Sequence, residues 1–538
     1  MVSFLAQLDA QLDHLFAGWN VYSTTLVVVL IAVLFLPLFF SSEPDIHPFL
    51  LARQATASPV RESGQSAVYR SSDIPHGYPL RRGLNLKDET TSKWGPGRDG
   101  DLRDIWLAAV GAGAGKSRKI LTLKGNNEPV ASTFEQLSKQ INAIGTHFKR
   151  HGSQRVAIYL PNSTEFLVSL FACMFYNLIP ILVPSDISPE GLEKIIIETQ
   201  ADSIVAPGGV LSIDSLTKIA PKTKLAVWVV PSTSQQMNFA EDAGTSGSTA
   251  EWHDLINQSP DVSDLPKSND EKHIPNVISV WHDESNTQTV EYTQANLISA
   301  VAANLAVLPR GHGLQETDLI VSLSPLTQTF ALSLVLAGLF SNASIALTSV
   351  AGLASDYELA FQGGIKPSII IASAATMSKA HGRLTDGDKG VFSRIRRSRH
   401  ASSLAAGKMR LNGLQSLRLI YVSAGPSSAS LKAQDLNDLR IFTGSRIIHS
   451  LVLPQVAGAV AQTSPMDYRI GDQPTKMSHF GAPLSSVEIK VVGDQGQILD
   501  DDYKPVGSLM IAGPAVVGGS TTTNMRATFG DDQTLQLL

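Results

Sequence analysis

The chain has 538 residues, of which 43 % are apolar, and this predicts a globular part of two or more subdomains with a sizeable core. Its formal net charge of −5 excludes a globally basic protein, so no nucleic-acid partner is expected. Cys173 is its single cysteine, which excludes intramolecular disulfides and favours a reducing compartment.

The N-terminal region contains twenty consecutive uncharged residues, at positions 21–40. A helix of this length is long enough to span a bilayer, so we predict a transmembrane helix. Residues 1–20 lack Lys and Arg and no small-residue cleavage site follows, which disfavours a signal peptide. Basic residues lie on the C-terminal side, so the positive-inside rule predicts a single-pass membrane protein with residues 1–20 outside the cytosol and a cytosolic large domain. The length is compatible with the endoplasmic reticulum.

The remaining chain divides into three parts by composition and pattern. Residues 41–100 are rich in Ser, Pro, Gly and Arg and predict a flexible linker. Residues 101–450 alternate strand and helix patterns, beginning with an amphipathic helix at 133–150 and a strand at 155–160, and this rhythm is typical of an α/β fold with mainly parallel sheets. Residues 451–538 show strand patterns without long helices and predict a smaller β-rich subdomain.

Two polar segments interrupt the α/β rhythm. Residues 232–269 are rich in Ser, Asn and Asp and predict a surface insertion. Residues 379–410 are basic. A solvated helix face is the default interpretation of this basic segment, and contact with anionic lipid is the alternative on a protein tethered to a bilayer.

The segment GAGAGKS at 111–117 resembles a phosphate-binding P-loop but departs from the pattern. The motif needs a glycine at position 110, where this chain has Val110, and it should follow a strand instead of the helix predicted at 102–110. We therefore predict a flexible turn here, with an ATPase site as the alternative.

Seven segments of the chain, in order, resemble the AMP-forming acyl-CoA synthetase and adenylating enzyme family. The resemblance covers roughly residues 102 to the C-terminus and implies the large N-terminal α/β domain of adenylate-forming enzymes. The basic segment before residue 417 is similar to one in the fatty acyl-CoA ligase branch. The seven segments are 155–184, 279–297, 324–332 (SPLTQTFAL), 421–431 (YVSAGPSSASL), 449–458 (HSLVLPQVAG), 480–484 (FGAPL) and 507–519.

The resemblance implies a phosphate-binding loop within residues 279–297, which in the family is rich in Ser, Thr and Gly and ends in a lysine. Here His282 and Ser285 stand at glycine positions and Gln288 stands at the lysine position. Asp283 and Glu284 occupy threonine-like positions, and two carboxylates facing a triphosphate would repel it. We therefore expect the loop to have lost its affinity for ATP phosphates.

Other motifs of the family are also altered. At the position of its aromatic-Gly-x-Thr-Glu motif, whose glutamate helps to hold Mg²⁺, the chain has residues 451–455 with the neutral Gln455, a poor ligand for a hard dication. Residues 325–328 replace its Pro-Leu-aromatic-His element. The adenine-side segment is better kept, as a remnant or as an ordinary strand-to-helix turn, and consists of Ser423, Ala424, Gly425 and Pro426.

The end of the chain also departs from the family. The family continues to a Thr-Gly-Asp that holds the ribose and to a C-terminal domain with a catalytic lysine, but residues 520–538 contain neither and no lysine follows Lys504. We therefore expect a domain truncated before that C-terminal domain, with no catalytic residue and no metal ligand retained.

These losses predict an acyl-CoA synthetase-like protein that is catalytically degenerate and acts in lipid binding or as a scaffold. The resemblance implies ATP/AMP and CoA as cofactors, expected to bind weakly or not at all, and Mg²⁺ is not expected. Expected partners are the lipid bilayer, a long-chain acyl group or acyl-CoA, and a protein. The alternatives are an active ATP-dependent fatty acid–CoA ligase whose C-terminal part lies outside this sequence, or an enzyme of different chemistry using His449 and Asp472 as acid/base groups.

Overall fold

The computed structural model describes residues 17–40, 43–87, 91–92, 94–111, 118–125, 127–209, 223–229, 248–259, 262–266, 274–283, 286–387, 391–409, 416–426, 428, 431–470, 477–493 and 506–538. The chain forms two compact units, Met1–Asp45 and Ile46–Leu538.

The described helices number twelve in chain order. They are α1 (Val21–Phe40), α2 (Pro48–Ala52), α3 (Leu102–Gly111), α4 (Phe134–Arg150), α5 (Thr164–Phe175), α6 (Pro189–Thr199), α7 (Trp252–Gln258), α8 (Gln294–Ala306), α9 (Thr329–Phe340), α10 (Ala374–Gly387), α11 (Val391–Ala405) and α12 (Ala433–Thr443), with a 3-10 helix at Tyr357–Gly364.

The described strands number twenty-two. They are β1 (Ala55–Ala57), β2 (Tyr69–Ser71), β3 (Ile120–Leu123), β4 (Val130–Ser132), β5 (Arg155–Ile158), β6 (Ile179–Leu182), β7 (Ser203–Pro207), β8 (Leu225–Val229), β9 (Ser248–Glu251), β10 (Val277–Asp283), β11 (Asn286–Tyr292), β12 (Leu319–Ser322), β13 (Ser344–Thr348), β14 (Ile369–Ser373), β15 (Leu419–Ala424), β16 (Arg446–Val452), β17 (Ala459–Gln462), β18 (Ala482–Pro483), β19 (Glu488–Gly493), β20 (Gly507–Ala512), β21 (Ser520–Phe529) and β22 (Leu535–Leu537).

The smaller unit contains α1, where the sequence predicted a transmembrane helix. Over the described part of the chain, no helix combines the length and the apolarity that a membrane crossing requires. This finding contradicts the predicted transmembrane helix and the single-pass localisation in the endoplasmic reticulum membrane.

Two mainly parallel sheets build most of the larger unit, as predicted for an α/β fold. The first has seven strands in the order β11-β10-β6-β5-β7-β8-β9, with β10 and β11 as its antiparallel edge. The second has nine strands in the order β18-β17-β16-β15-β14-β12-β13-β3-β4 and is parallel from β16 to β3. Parallel sheets are covered on both faces, and their strands are buried accordingly.

The helices form where the sequence supplies caps and an apolar stripe. Thr133 caps α4 through a capping box with Gln136, and the face of α4 that includes Ile141 and Phe148 is buried. Helices α3, α5, α8 and α9 pack on one another, and their apolar side chains join those of both parallel sheets in one hydrophobic core. The amphipathic helix predicted at 133–150 is therefore present and carries part of this core.

The third sheet is antiparallel and has six strands in the order β1-β2-β19-β20-β21-β22. Its strands β1 and β2 come from the segment that was predicted to be a flexible linker. Arg70 forms an ion pair with Glu488 at 2.6 Å, and the ring of Tyr69 stacks on that of Phe529. The Ser- and Gly-rich composition did not reveal these strands because, in the described residues, β1 pairs only with β2, and β2 joins the sheet through β19, as shown by Arg70 and Glu488, which are 418 residues apart.

Candidate functional site

A cavity of about 1020 Å³ lies at the carboxyl ends of β14, β15 and β16, where they face the β10–β11 hairpin and β21. Crevices outside the carboxyl ends of parallel strands are the usual ligand sites of α/β sheets. The cavity is lined by Trp281, His282, Gln288, Gln328, Leu353, Ala354, Ser373, Ala375, Ser423, Gly425, Pro426, Ser428, Val452, Leu453, Pro454, Gln455, Thr521, Thr522, Thr523, Asn524 and Met525.

The structure brings most of the sequence-predicted site residues to this one cavity. Ser423, Gly425 and Pro426 line it at the end of β15, and Gln288 and Gln455 line it from the hairpin and from the end of β16. The sixth residue, Ala424, is buried between its neighbours and is not a lining residue. That these residues bind a nucleotide remnant stays a prediction.

The predicted phosphate loop is part of a β-hairpin. In the described residues, Trp281 pairs with Gln288 and His282 with Thr287 in an antiparallel ladder that extends to Asp283 and Asn286. The side chain of His282 also bonds to the Thr287 hydroxyl at 2.9 Å. Because the residues of an antiparallel pair alternate between hydrogen-bonded and non-hydrogen-bonded positions, only part of the N–H groups of this hairpin bond across the ladder. The predicted repulsion by the side chains of Asp283 and Glu284, and the position of Ser285, lie outside the described residues.

The two altered motif positions contact each other. Gln455 donates from Nε2 to Oε1 of Gln288 at 3.5 Å. The resemblance implies a lysine at one of these positions and a magnesium-binding glutamate at the other. A pair of neutral amides supplies neither a positive charge for a phosphate nor a carboxylate for a hard cation.

The electrostatics of the cavity follow from its lining. None of the described lining residues is Lys, Arg, Asp or Glu. Mg²⁺ prefers carboxylate and phosphate oxygens, and among the described residues no group of three or more His, Cys, Asp or Glu side chains is placed to hold a metal ion. The described lining residues therefore supply neither the positive charge nor the carboxylate ligand that would favour a magnesium–triphosphate complex.

The cavity wall is braced by a buried tyrosine. Tyr292 donates its hydroxyl hydrogen to the carbonyl of Pro454, and it accepts a hydrogen bond from Nε1 of Trp281 at 2.9 Å. Burial raises the pKa of Tyr292 well above its usual value, so this side chain remains a neutral donor. This arrangement fixes residues 451–455 against the hairpin and leaves Trp281 at the cavity wall.

The sequence analysis missed part of the lining. Trp281 and the run from Thr521 to Asn524 were not singled out, although both lie in segments that were considered. The threonine run has no apolar–polar alternation in the sequence, and its alternation of partly buried and exposed residues in β21 is seen only in the structure, where β21 pairs with β20. Ser373 aligns with Ser423 across β14 and β15, which the sequence did not reveal either.

His449, one of two conceivable acid/base groups, does not reach the cavity. Its ring is buried and stacks on Phe480 with centroids 4.5 Å apart. Desolvation, aided by the nearby His479 and Arg440, lowers the pKa of His449 to about 3, so it is neutral at physiological pH. The other group, Asp472, lies outside the described residues.

The buried imidazole gives a testable pH dependence. Because the folded pKa of His449 is about 3 and the unfolded value is about 6.5, the unfolded chain binds more protons between these pH values, and stability falls as the pH drops through this window. The resulting decrease in the free energy of unfolding is about 2 kcal/mol between pH 7 and pH 5. Urea denaturation measures the free energy of unfolding at each pH. The His449→Leu variant should not show this decrease, whereas the variant at the exposed His253, His253→Gln, should still show it. Equal pH profiles for His449→Leu and the unmodified chain would contradict the assignment.

Comparison with solved structures shows which known proteins have the same fold. Solved structures with the same fold include an anthranilate CoA ligase in complex with anthranoyl-AMP, with a TM-score of 0.62, 18 % identity, and coverage of 81 % of this chain and 77 % of that chain. A long-chain-fatty-acid-CoA ligase from Archaeoglobus fulgidus has a TM-score of 0.60 and 15 % identity, with 85 % of this chain and 86 % of that chain covered. The fold is that of these adenylate-forming enzymes.

The sequence profile of the AMP-binding enzyme family matches residues 113–276, and this match confirms the predicted family. An uncharacterized protein of Saccharomyces cerevisiae is 23 % identical over 508 residues, which cover 84 % of this chain and 83 % of that protein. Together with the solved structures, these matches identify an acyl-CoA synthetase-like protein.

Proposed function

We propose that this acyl-CoA synthetase-like protein does not activate acids with ATP and uses the family's cavity to bind an acyl ligand. Such a protein acts in lipid binding or as a scaffold, with a long-chain acyl group, an acyl-CoA or a second protein as its partner. ATP/AMP binds weakly or not at all, and no step depends on Mg²⁺.

The absence of charged side chains from the described lining of the cavity carries this proposal. Adenylate formation requires preorganised positive charge around the transferring phosphorus. The Gln288–Gln455 amide pair occupies the positions where the family resemblance implies that charge and its metal ligand. An acyl chain, by contrast, needs a cavity of suitable size with few charges, and about 1020 Å³ is at the upper end for ligand pockets.

An ATP-dependent fatty acid–CoA ligase is the second candidate. It is favoured by the adenine-side segment, since Ser423, Gly425 and Pro426 line the cavity together with the aromatic Trp281. An indole ring and a flat backbone segment are suited to a purine. On this alternative, the binding of Mg-ATP would be measurable without any substitution.

The acyl-ligand proposal is tested by calorimetric titration of the full chain with a C16 acyl-CoA below its critical micelle concentration. We expect saturable binding that Thr522→Trp weakens at least about tenfold, because the exposed Thr522 lines the cavity and an indole would occupy part of it. The matched control is Ser520→Trp, an exposed position on the same strand outside the cavity lining. No acyl-CoA binding, or an equal loss with both variants, would contradict the proposal.

A further inference from the structure

A second cavity, of about 480 Å³, lies away from the candidate site. It is bounded by α11, α12, residues 466–470 and one residue of α2. Its lining consists of Leu51, Arg397, Ala401, Leu404, Ala405, Gly407, Gln434, Asn437, Asp438, Ile441, Met466, Tyr468, Arg469 and Ile470. None of these residues lines the first cavity.

The floor of this second cavity is a hydrophobic cluster separate from the main core. Leu404, Met409, Met466 and Tyr468 form the cluster, with Ile441 packed against it. Along α11, Ala401 and Ala405 stand one turn apart, so small side chains face the volume that larger ones would fill. The cavity therefore combines an apolar floor with a volume of the size that ligand pockets have.

Two guanidinium groups line the same cavity. Arg397 forms an ion pair with Asp438 through Nη2 at 2.8 Å. Its guanidinium also lies over the ring of Phe442, 5.0 Å from the ring centroid. The carboxylate of Asp467 holds Arg469 by accepting hydrogen bonds from its Nε at 2.8 Å and from its Nη2 at 2.6 Å. Both groups are thus oriented before any ligand arrives, which reduces the entropy lost on binding.

The ion pair of Arg397 leaves part of its guanidinium for a ligand. The Arg397 side chain is 32 % exposed. Within the described residues, its ion pair with Asp438 is made through Nη2. The remaining edge presents N–H donors in the planar fork that suits a carboxylate. The basic segment is therefore more than a solvated helix face, since Arg397 packs onto α12 while Arg399 is exposed.

Exposed apolar residues lie beside the cavity. Leu51 contributes to the lining, and its neighbours on α2, Phe49 and Leu50, are 80 % and 61 % exposed. An apolar entrance beside an apolar floor is suited to a ligand with a hydrocarbon chain.

We propose that this second cavity binds a single-chain amphiphile with a carboxylate head, a fatty acid anion. The chain lies on the cluster formed by Leu404, Met466 and Tyr468, and the carboxylate accepts hydrogen bonds from Arg397, with Arg469 nearby. This site is independent of the function proposed for the first cavity.

The test is a calorimetric titration of the full chain with dodecanoate below its critical micelle concentration. We expect Arg397→Gln to weaken binding at least about tenfold, because a charge-assisted hydrogen bond is lost. Arg399→Gln removes the same charge from an exposed position of the same helix and should leave binding unchanged. Dodecanol, which lacks the carboxylate, should bind at least about tenfold more weakly than dodecanoate.

Two further variants, one with a larger side chain in each cavity, show which cavity holds the ligand. Ala401→Phe should abolish the component of dodecanoate binding that Arg397→Gln weakens, and Thr522→Trp should not change that component. Because a phenyl ring at position 401 can also disturb α11, Arg397→Gln carries the test independently. The proposal is overturned if dodecanoate does not bind, if Arg399→Gln weakens binding as much as Arg397→Gln, or if Thr522→Trp abolishes it. Association with anionic phospholipid vesicles that dodecanoate does not displace would also overturn it, in favour of a bilayer headgroup.

Discussion

Replacing Asp467 by asparagine is expected to lower the free energy of unfolding by about 3 kcal/mol, as is usual when one partner of a buried ion pair is removed. The Asp467 carboxylate is 1 % exposed and accepts hydrogen bonds from Arg469 and from Nε2 of Gln54 at 2.7 Å. This carboxylate also lies 3.4 Å from Nε2 of His479. Its removal leaves these donors without their charged acceptor, and urea denaturation measures the loss.

The pH dependence gives this prediction a second readout. Although burial acts in the opposite direction, the hydrogen bonds from Arg469 and His479 hold the pKa of Asp467 far below its usual value. A depressed carboxyl pKa stabilises the fold above the unfolded pKa of about 3.9, and the contribution is lost as the pH falls below it. The difference between Asp467→Asn and the unmodified chain should therefore shrink below about pH 4.

The control for Asp467 is a solvent-exposed ion pair. Asp356 contacts Arg383 at 2.9 Å, with side chains 46 % and 55 % exposed. Surface pairs of this kind contribute about 0–1 kcal/mol, so Asp356→Asn should have a small effect. Equal decreases in the free energy of unfolding for Asp467→Asn and Asp356→Asn would contradict the prediction that the contacts of the buried Asp467 stabilise the fold.

Introducing charge at the amide pair is expected to create affinity for Mg-ATP. In the double variant Gln288→Lys with Gln455→Glu, the lysine supplies a positive charge to the phosphates and the glutamate supplies an oxygen ligand to Mg²⁺. Each charge-assisted interaction contributes about 1.5–3 kcal/mol, so we expect Mg-ATP to bind at least roughly tenfold more tightly. Calorimetric titration of both proteins measures the change.

A charge-matched variant separates position from charge in this experiment. Gln328→Lys with Asn524→Glu introduces the same two charges into the lining of the same cavity. It should not bring Mg-ATP binding to the level of the Gln288/Gln455 variant. If both double variants bind equally well, or if neither binds, the two glutamines are not the remnants of the phosphate and metal positions.

The parts of the fold that the sequence predicted are those set by local pattern. Strands β5 and β6 and helix α4 show apolar runs and periodicity that need no distant partner. The residues of the candidate site were predicted from the family resemblance of segments 421–431 and 449–458. The structure places Ser423, Gly425 and Gln455 near the carboxyl ends of β15 and β16, where the ends of parallel strands converge.

The parts that sequence could not predict depend on contacts between distant residues. Gln54 and Asp467 are 413 residues apart, so neither pattern nor composition indicates their hydrogen bond. Strands β1 and β2 have three residues each, too few for a periodic pattern, and they are stabilised by the sheet they join. The prediction for residues 21–40 failed for another reason: it rested on the length of the segment and its lack of charge, which do not establish a membrane crossing.

The most direct test of the central claim is a calorimetric titration of the unmodified chain with Mg-ATP. The described lining of the cavity, which contains no Lys, Arg, Asp or Glu, predicts no saturable heat of binding up to about 1 mM nucleotide. This limit corresponds to a binding free energy weaker than about −4 kcal/mol. Micromolar binding would contradict the account and would mean that the Gln288–Gln455 pair gives way to a nucleotide whose phosphates are held by other groups.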